Sequence, residues 1–287
     1  CISPESLRNN RTKIKNSYDG KISDIVVKVL KDERLINTNK NIFVDETLGN
    51  KKFVVPNMRP FDFINSLSKQ TQSTKFGGSP NYFFFENTRG FHFRVLDSLY
   101  DEDFRGKFIA NESDAQIDTP SAKGNFEKDF QRIKSFAIGQ SNDTLLSSRG
   151  GMLSSRLIKY NIFEKNFSTH TFNYFDNFKD YGRIDKNPIY NKVVIDKQDN
   201  NIGDFNLART QLQPTSNSDG LDARYIGGND FTDNSSEFTI LPRRSKVIEL
   251  QNGLSMQLKA HGHCNLAVGD KVFITLPVSG SDHGDKK

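Results

Sequence analysis

Tryptophan is absent from this chain, and cysteine occurs only at Cys1 and Cys264. Two cysteines cannot build the disulfide framework of a small secreted domain, so a reducing compartment or assembly inside a cell fits them. No apolar run approaches the roughly 20 residues of a membrane-spanning helix. The longest candidate, Ile25 to Leu30, is short and is broken by Lys28, which argues against membrane insertion. A basic block is missing as well. Forty basic and 35 acidic residues give a formal charge of +5 and are interleaved along the chain, so nothing calls for nucleic-acid contact. The nucleophile-elbow, zincin and phosphate-loop patterns do not occur, nor does a calcium loop of the EF-hand type. The chain opens at Cys1 without a charged segment leading into an apolar one, so it shows no signal peptide and reads as a fragment of a longer product.

What remains is a chain of 287 residues with 24 Phe and 8 Tyr. Phenylalanine must carry most of the large-volume packing. The length suits one large domain or two ordinary ones. No repeat with a period of 20–50 residues is present.

Ser23 is expected to cap a helix over Asp24 to Leu30, with Ile25, Val26, Val29 and Leu30 on one face. Ile42 to Val44 and Phe53 to Val55 read as short strands around a Gly49-Asn50 turn. Pro60 suits the first turn of a helix lined by Phe63, Ile64 and Leu67. Tyr82 to Phe85 and Phe91 to Val95 read as a hairpin, with the first strand central and Phe83, Phe85, Phe91 and Phe93 in the core. Phe126, Phe130, Ile133 and Ala137 recur at helical spacing. Gly150-Gly151 marks a boundary. Beyond it, Met152 to Tyr160 and Phe167 to Phe175 read as a second hairpin, and residues 186–237 as a long polar excursion. Arg243 to Leu250 reads as a short helix. Leu254 to Ala260 and Val272 to Leu276 alternate cleanly and are expected to pair antiparallel.

Three clusters invite a chemical reading. His261, His263 and Cys264 offer metal-ligand chemistry but share one turn with no second ligand pair, so they read as a polar turn. Asp101-Glu102-Asp103 reads as an exposed acidic run. His92 and His170 lie on strands and read as structural. No catalytic, cofactor or metal residue is assigned, and the chain is not expected to be an enzyme.

The run PNMRPFDFINSL followed by YFFFENTRGFHFRVLDSL (Pro56 to Leu99) resembles the central baseplate hub proteins of T4-like contractile-tailed phages. That family extends to the hub part of type VI secretion spike proteins. KISDIVVKVL (Lys21 to Leu30) is similar to the family's helix ahead of the proline segment. SSRLIKYNIFEKNFSTHTFNYFDNF (Ser154 to Phe178) is similar to the hairpin opening its later barrel. NGLSMQLKAHGHCNLAVGDKVFITLP (Asn252 to Pro277) is similar to its closing strand pair. The family's first tube-like barrel precedes the KISDI-like helix, and here only 20 residues do.

The resemblance implies a homotrimer without catalysis. Each chain supplies two similar barrels, so that three chains offer a pseudo-six-fold ring to the tail tube and a three-fold face to the trimeric spike. Tube-initiator and baseplate wedge proteins are further expected partners. The expected location is the virion, in the phage tail baseplate, after assembly in the host cytoplasm. The expected architecture is α+β, mainly β: a helix-and-sheet segment over residues 1–144 and an antiparallel tube-like β-barrel domain over 145–287. A tail-associated cell-wall hydrolase and a carbohydrate-binding β-module are the alternatives.

Overall fold

The computed structural model describes residues 2–110, 131–139, 143–162, 165–194, 197, 199–204, 209–215 and 236–276. Helix makes up 25% and strand 33%, so the chain is α+β and mainly β. The described helices are α1 (Pro4–Arg11), α2 (Ile22–Lys31), α3 (Pro60–Ser68), α4 (Leu96–Asp101), α5 (Thr144–Gly150) and α6 (Ser236–Asn252). The strands are β1 (Ser17–Lys21), β2 (Asn41–Val44), β3 (Asn50–Val54), β4 (Tyr82–Asn87), β5 (Gly90–Val95), β6 (Gly106–Ile109), β7 (Ile133–Ile138), β8 (Ser154–Asn161), β9 (Asn166–Asn173), β10 (Thr210–Thr215), β11 (Met256–Ala260) and β12 (Val272–Thr275). They form five sheets of two or three strands, with no closed barrel among the described residues.

Two compact units share the chain. One joins Cys1–Asp101 to Asp143–Asn252, and the other joins Glu102–Asn142 to Gly253–Lys287. The division expected at 144/145 separates two hydrophobic cores, but both cores lie in the first unit. The second unit draws strands from both sides of that division.

The first core gathers around α2, α3 and the Phe-rich hairpin. Ile22, Ile25, Val26, Val29 and Leu30 are all buried along one face of α2. The helix starts two residues earlier than its sequence indicates, with Lys21 at the cap position and no side-chain cap of its own. Ser23 is buried instead, and its amide donates to Thr47 Oγ1 at 3.1 Å. A distant threonine thus satisfies a first-turn amide that a local serine was expected to serve. Pro60 occupies the first turn of α3, and Phe63, Ile64 and Leu67 are buried as its spacing indicates.

β4 and β5 form the expected antiparallel hairpin, but β5 is the central strand. β2 adds to it in parallel, with Asn41 opposite Gly90. That approach requires the glycine: a Cβ on Gly90, whose φ is +145°, would stand 2.1 Å from the Asn41 carbonyl oxygen. β4 is left at the edge, and its core face carries Tyr82 and Phe84 rather than Phe83 and Phe85. Tyr82 packs at a tilt 5.1 Å from Phe93, and Phe84 stacks at 5.9 Å on Phe91. Phe91 and Phe93 are core as expected, whereas Phe83 and Phe85 are half-buried on the opposite face. Alternation gives two faces per strand, and both faces of this one are aromatic, so the pattern alone could not choose.

The second core packs α6 on a three-stranded sheet. Asp143 caps α5 by accepting from the Leu146 amide at 2.9 Å. β8 and β9 pair antiparallel as the sequence indicates. β10 then adds to the other side of β8 in parallel, from within the stretch expected to be irregular. α6 has 17 residues, reaching well beyond the expected 243–250. Met152, Leu153, Leu157, Phe172, Tyr174, Phe178 and Leu241 are the buried apolar side chains of this core.

The second unit is built from two ribbons. β7 pairs antiparallel with β11, and β6 pairs in parallel with β12. The expected β11–β12 hairpin is therefore not formed; each strand takes a partner from more than 100 residues upstream. The helix expected from Phe126 to Ala137 is contradicted where it can be compared, because Ile133–Ile138 is a strand. Phe126 and Phe130 lie outside the described residues. Phe136 and Ile138 alternate and face Leu258 and Met256 across the ribbon, and this pairing outweighs the helical spacing.

Candidate interaction surfaces

The polar chemistry of the first unit is used to hold elements together. Asp97 at the start of α4 is buried and accepts from Ser79 Oγ at 2.5 Å and from the Gly182 amide. Glu249 of α6 is buried between two cations. Arg183 Nη1 lies 2.5 Å from its Oε1 and Lys246 Nζ 2.8 Å from its Oε2. The Arg183 guanidinium also stacks on Phe178 at 4.3 Å and on Tyr174 at 4.9 Å. Burial lowers the proton affinity of Lys246, and Glu249 opposes that shift. Charges buried this deeply must be paired, and here they are.

Arg243 does different work. Its Nη1 donates to the carbonyls of Ser68, Pro80 and Tyr82 at 3.0, 2.9 and 2.8 Å. The Asn81 carbonyl instead receives the Leu96 amide beyond β5, so the Pro80 and Tyr82 carbonyls belong to the free edge of β4. One guanidinium thereby closes the start of an edge strand that would otherwise offer open acceptors. Burial pushes its proton affinity down to about 10.

His92 is structural too. Its ring lies between Phe43 at 4.6 Å and Phe85 at 4.8 Å, and its Nε2 is 2.9 Å from Asn87 Oδ1. His170 sits opposite Leu157 in the β8–β9 pair.

The second unit has a different character. Phe108 and Ala110 are its buried apolar side chains among the described residues. Phe104, Phe136, Ile138, Leu254, Val268 and Phe273 are all exposed, Val268 by 71% and Leu254 by 64%. Two-stranded ribbons are marginal in water unless something covers their apolar face, and contiguous exposed apolar surface marks an interaction site. Phe104 and Phe273 meet edge to face at 5.6 Å. With Arg105, Gly106 and Lys107 they line an open groove of about 400 Å³. Lys107 Nζ stands 5.8 Å from the Phe273 ring centre and Lys271 Nζ 4.7 Å from that of Phe104. Sequence reasoning missed this groove. Val272 and Ile274 define one face of β12, and nothing local tells that Phe273 on the other meets Phe104 across a parallel pair.

His261, His263 and Cys264 are exposed in the segment between β11 and β12. The His263 ring packs edge-on against Phe108 at 5.6 Å. Among the described residues no three histidine, cysteine or acidic side chains stand together as metal ligands would. Asp101 and Asp103 are exposed and Glu102 is half-buried. No described helix is long and apolar enough to cross a membrane. The chain matches no protein-family model and no curated protein.

Proposed function

We propose that this chain is a structural virion protein: a trimeric baseplate hub that adapts a hexameric tail tube to a trimeric cell-puncturing spike. The observation that carries the proposal is the second unit, which exposes six large apolar side chains, Phe136, Ile138 and Phe273 of them on its strands, and buries few among the described residues. In this reading the ribbons are segments of a tube-like barrel wall completed by neighbouring copies, with tube-initiator and wedge proteins covering the remaining edges. Obligate interfaces of this kind bury more than roughly 2,000 Å² and resemble a core cut in half. The order of the hub-like motifs along the chain supports the same reading. The first unit has its own two packed cores.

Native mass by light scattering tests this. One chain is 32.6 kDa, so a trimer is about 98 kDa. A trimer that dissociates when Phe136 and Ile138 are both replaced by Ser supports the hub. A monomer that turns over peptidoglycan, or that binds glycans through the Phe104–Phe273 groove, favours a hydrolase or a carbohydrate-binding module instead.

A further inference from the structure

In the parallel pairing of β10 with β8, Thr210 lies opposite Arg156 and Gln211 opposite Leu157. Side chains alternate along a strand, so Arg209, Gln211 and Gln213 share the face of Ser155 and Leu157. That face is covered by α6, since Leu157 packs in one core with Leu241 and Ile248. Arg244 of α6 reaches down to it, and its Nη2 donates to Gln211 Oε1. From the other direction Gly151, in the left-handed conformation at φ +85°, brings two more groups together. A point one bond from its Cα lies 2.7 Å from Arg209 Cβ and 3.4 Å from Ser155 Cβ. Arg156 belongs to the opposite face and takes no part.

This corner holds two guanidiniums and, among the described residues, no carboxylate paired with either. Arg244 Nη1 is buried and has no hydrogen-bond partner. Ser155 is fully buried, and its Oγ also lacks one. Gln213 Oε1, also buried without a partner, lies further along the ladder opposite Lys159 and takes no part. Burial and the nearby charge of Arg209 both lower the proton affinity of Arg244, as expected for buried like charges. Arg209 is exposed, so the corner is open to solvent on that side. Unsatisfied buried donors are costly, and paired guanidiniums are the preferred partners of phosphate oxygens.

We propose that Arg209, Arg244 and Ser155 form a binding site for a phosphate-type oxyanion, taken up free or as the terminal phosphate of a larger molecule. The anion accepts hydrogen bonds from Arg244 Nη1 and Ser155 Oγ, and Arg209 closes over it from the solvent side. The proposal is independent of the hub reading, which makes no demand on this corner.

Sodium phosphate titrated into the full chain, at ionic strength held constant with chloride, tests it by thermal shift and calorimetry. The expected result is a saturable rise in melting temperature. Its apparent Kd weakens by about tenfold to a hundredfold in Arg209→Gln, as for loss of one or two charge-assisted bonds. Arg209 is exposed, so this variant keeps the fold, which circular dichroism verifies; Ser155→Ala is the second variant. Glycerol 3-phosphate runs as a parallel arm. Binding as tight as inorganic phosphate assigns the site to a phosphomonoester, and binding of the inorganic ion alone assigns it to free phosphate. A shift no larger than chloride gives, or one unchanged in Arg209→Gln, overturns the proposal.

Discussion

Replacing Arg243 by Met isolates what a single guanidinium does at the edge of β4. Methionine keeps the apolar stem and removes the donors. Three carbonyls, of Ser68, Pro80 and Tyr82, then lose the group that now bonds them at 2.8–3.0 Å. All three residues are buried. The Pro80 carbonyl keeps the Tyr82 amide at 2.9 Å, so two acceptors are stranded, and at about 1–3 kcal/mol each the loss is about 2–6 kcal/mol. Removing the buried charge returns part of it. Burial lowers the Arg243 proton affinity to about 10, which corresponds to on the order of 3 kcal/mol of desolvation. The net expectation is a destabilisation centred on about 1 kcal/mol, which is measurable against the stability of an ordinary domain. Urea denaturation followed by far-ultraviolet circular dichroism measures it as a lower midpoint at unchanged slope. Arg243→Lys should fall between the two, since one ammonium cannot reproduce the fork. An unchanged or raised midpoint for the Met variant would show that water already serves these carbonyls and that the edge of β4 is open.

Two further outcomes follow from the cores. Phe93 is fully buried between the two outer strands of its sheet, so Phe93→Ala should cost about 3–5 kcal/mol; an unchanged urea midpoint would refute its burial. Burial holds the hydroxyls of Tyr82, Tyr100, Tyr174 and Tyr181 above their ordinary proton affinity, those of Tyr174 and Tyr181 up to about 12. These tyrosines favour the folded state fully below pH 10, and their contribution is lost as the pH rises from 10 to 12. Each withdraws up to about 1.4 kcal/mol per pH unit there. Arg243, Arg244 and Lys246, whose proton affinities are lowered, act with the opposite sign, but they are three groups against four. The melting temperature should therefore fall above pH 10, and Tyr174→Phe should flatten the fall; a flat profile to pH 12 contradicts the burial of these hydroxyls.

Local pattern by itself determined the elements whose reasons are local. The stripe of α2, Pro60 at the head of α3, and both hairpins, β4–β5 and β8–β9, follow from spacing, turn chemistry and a proline that needs no donor. The α+β, mainly β character follows from the same signals. Tertiary structure decided everything that depends on a partner far along the chain. β2 joins β5 and β10 joins β8 in parallel, and parallel pairing leaves no turn for a sequence to announce. β11 and β12 alternate so cleanly that a hairpin was the natural reading, yet each is claimed by an upstream strand. Thr47 caps α2 from another segment, and the choice between the two aromatic faces of β4 falls to Tyr82 and Phe84 because the core lies on that side. Arg243 and the Arg209–Arg244 corner have no signature at all. A charged residue on a helix reads as solvated until the fold brings carbonyls, or a second arginine, against it. Periodicity reports which way a side chain points, and only packing decides what it meets.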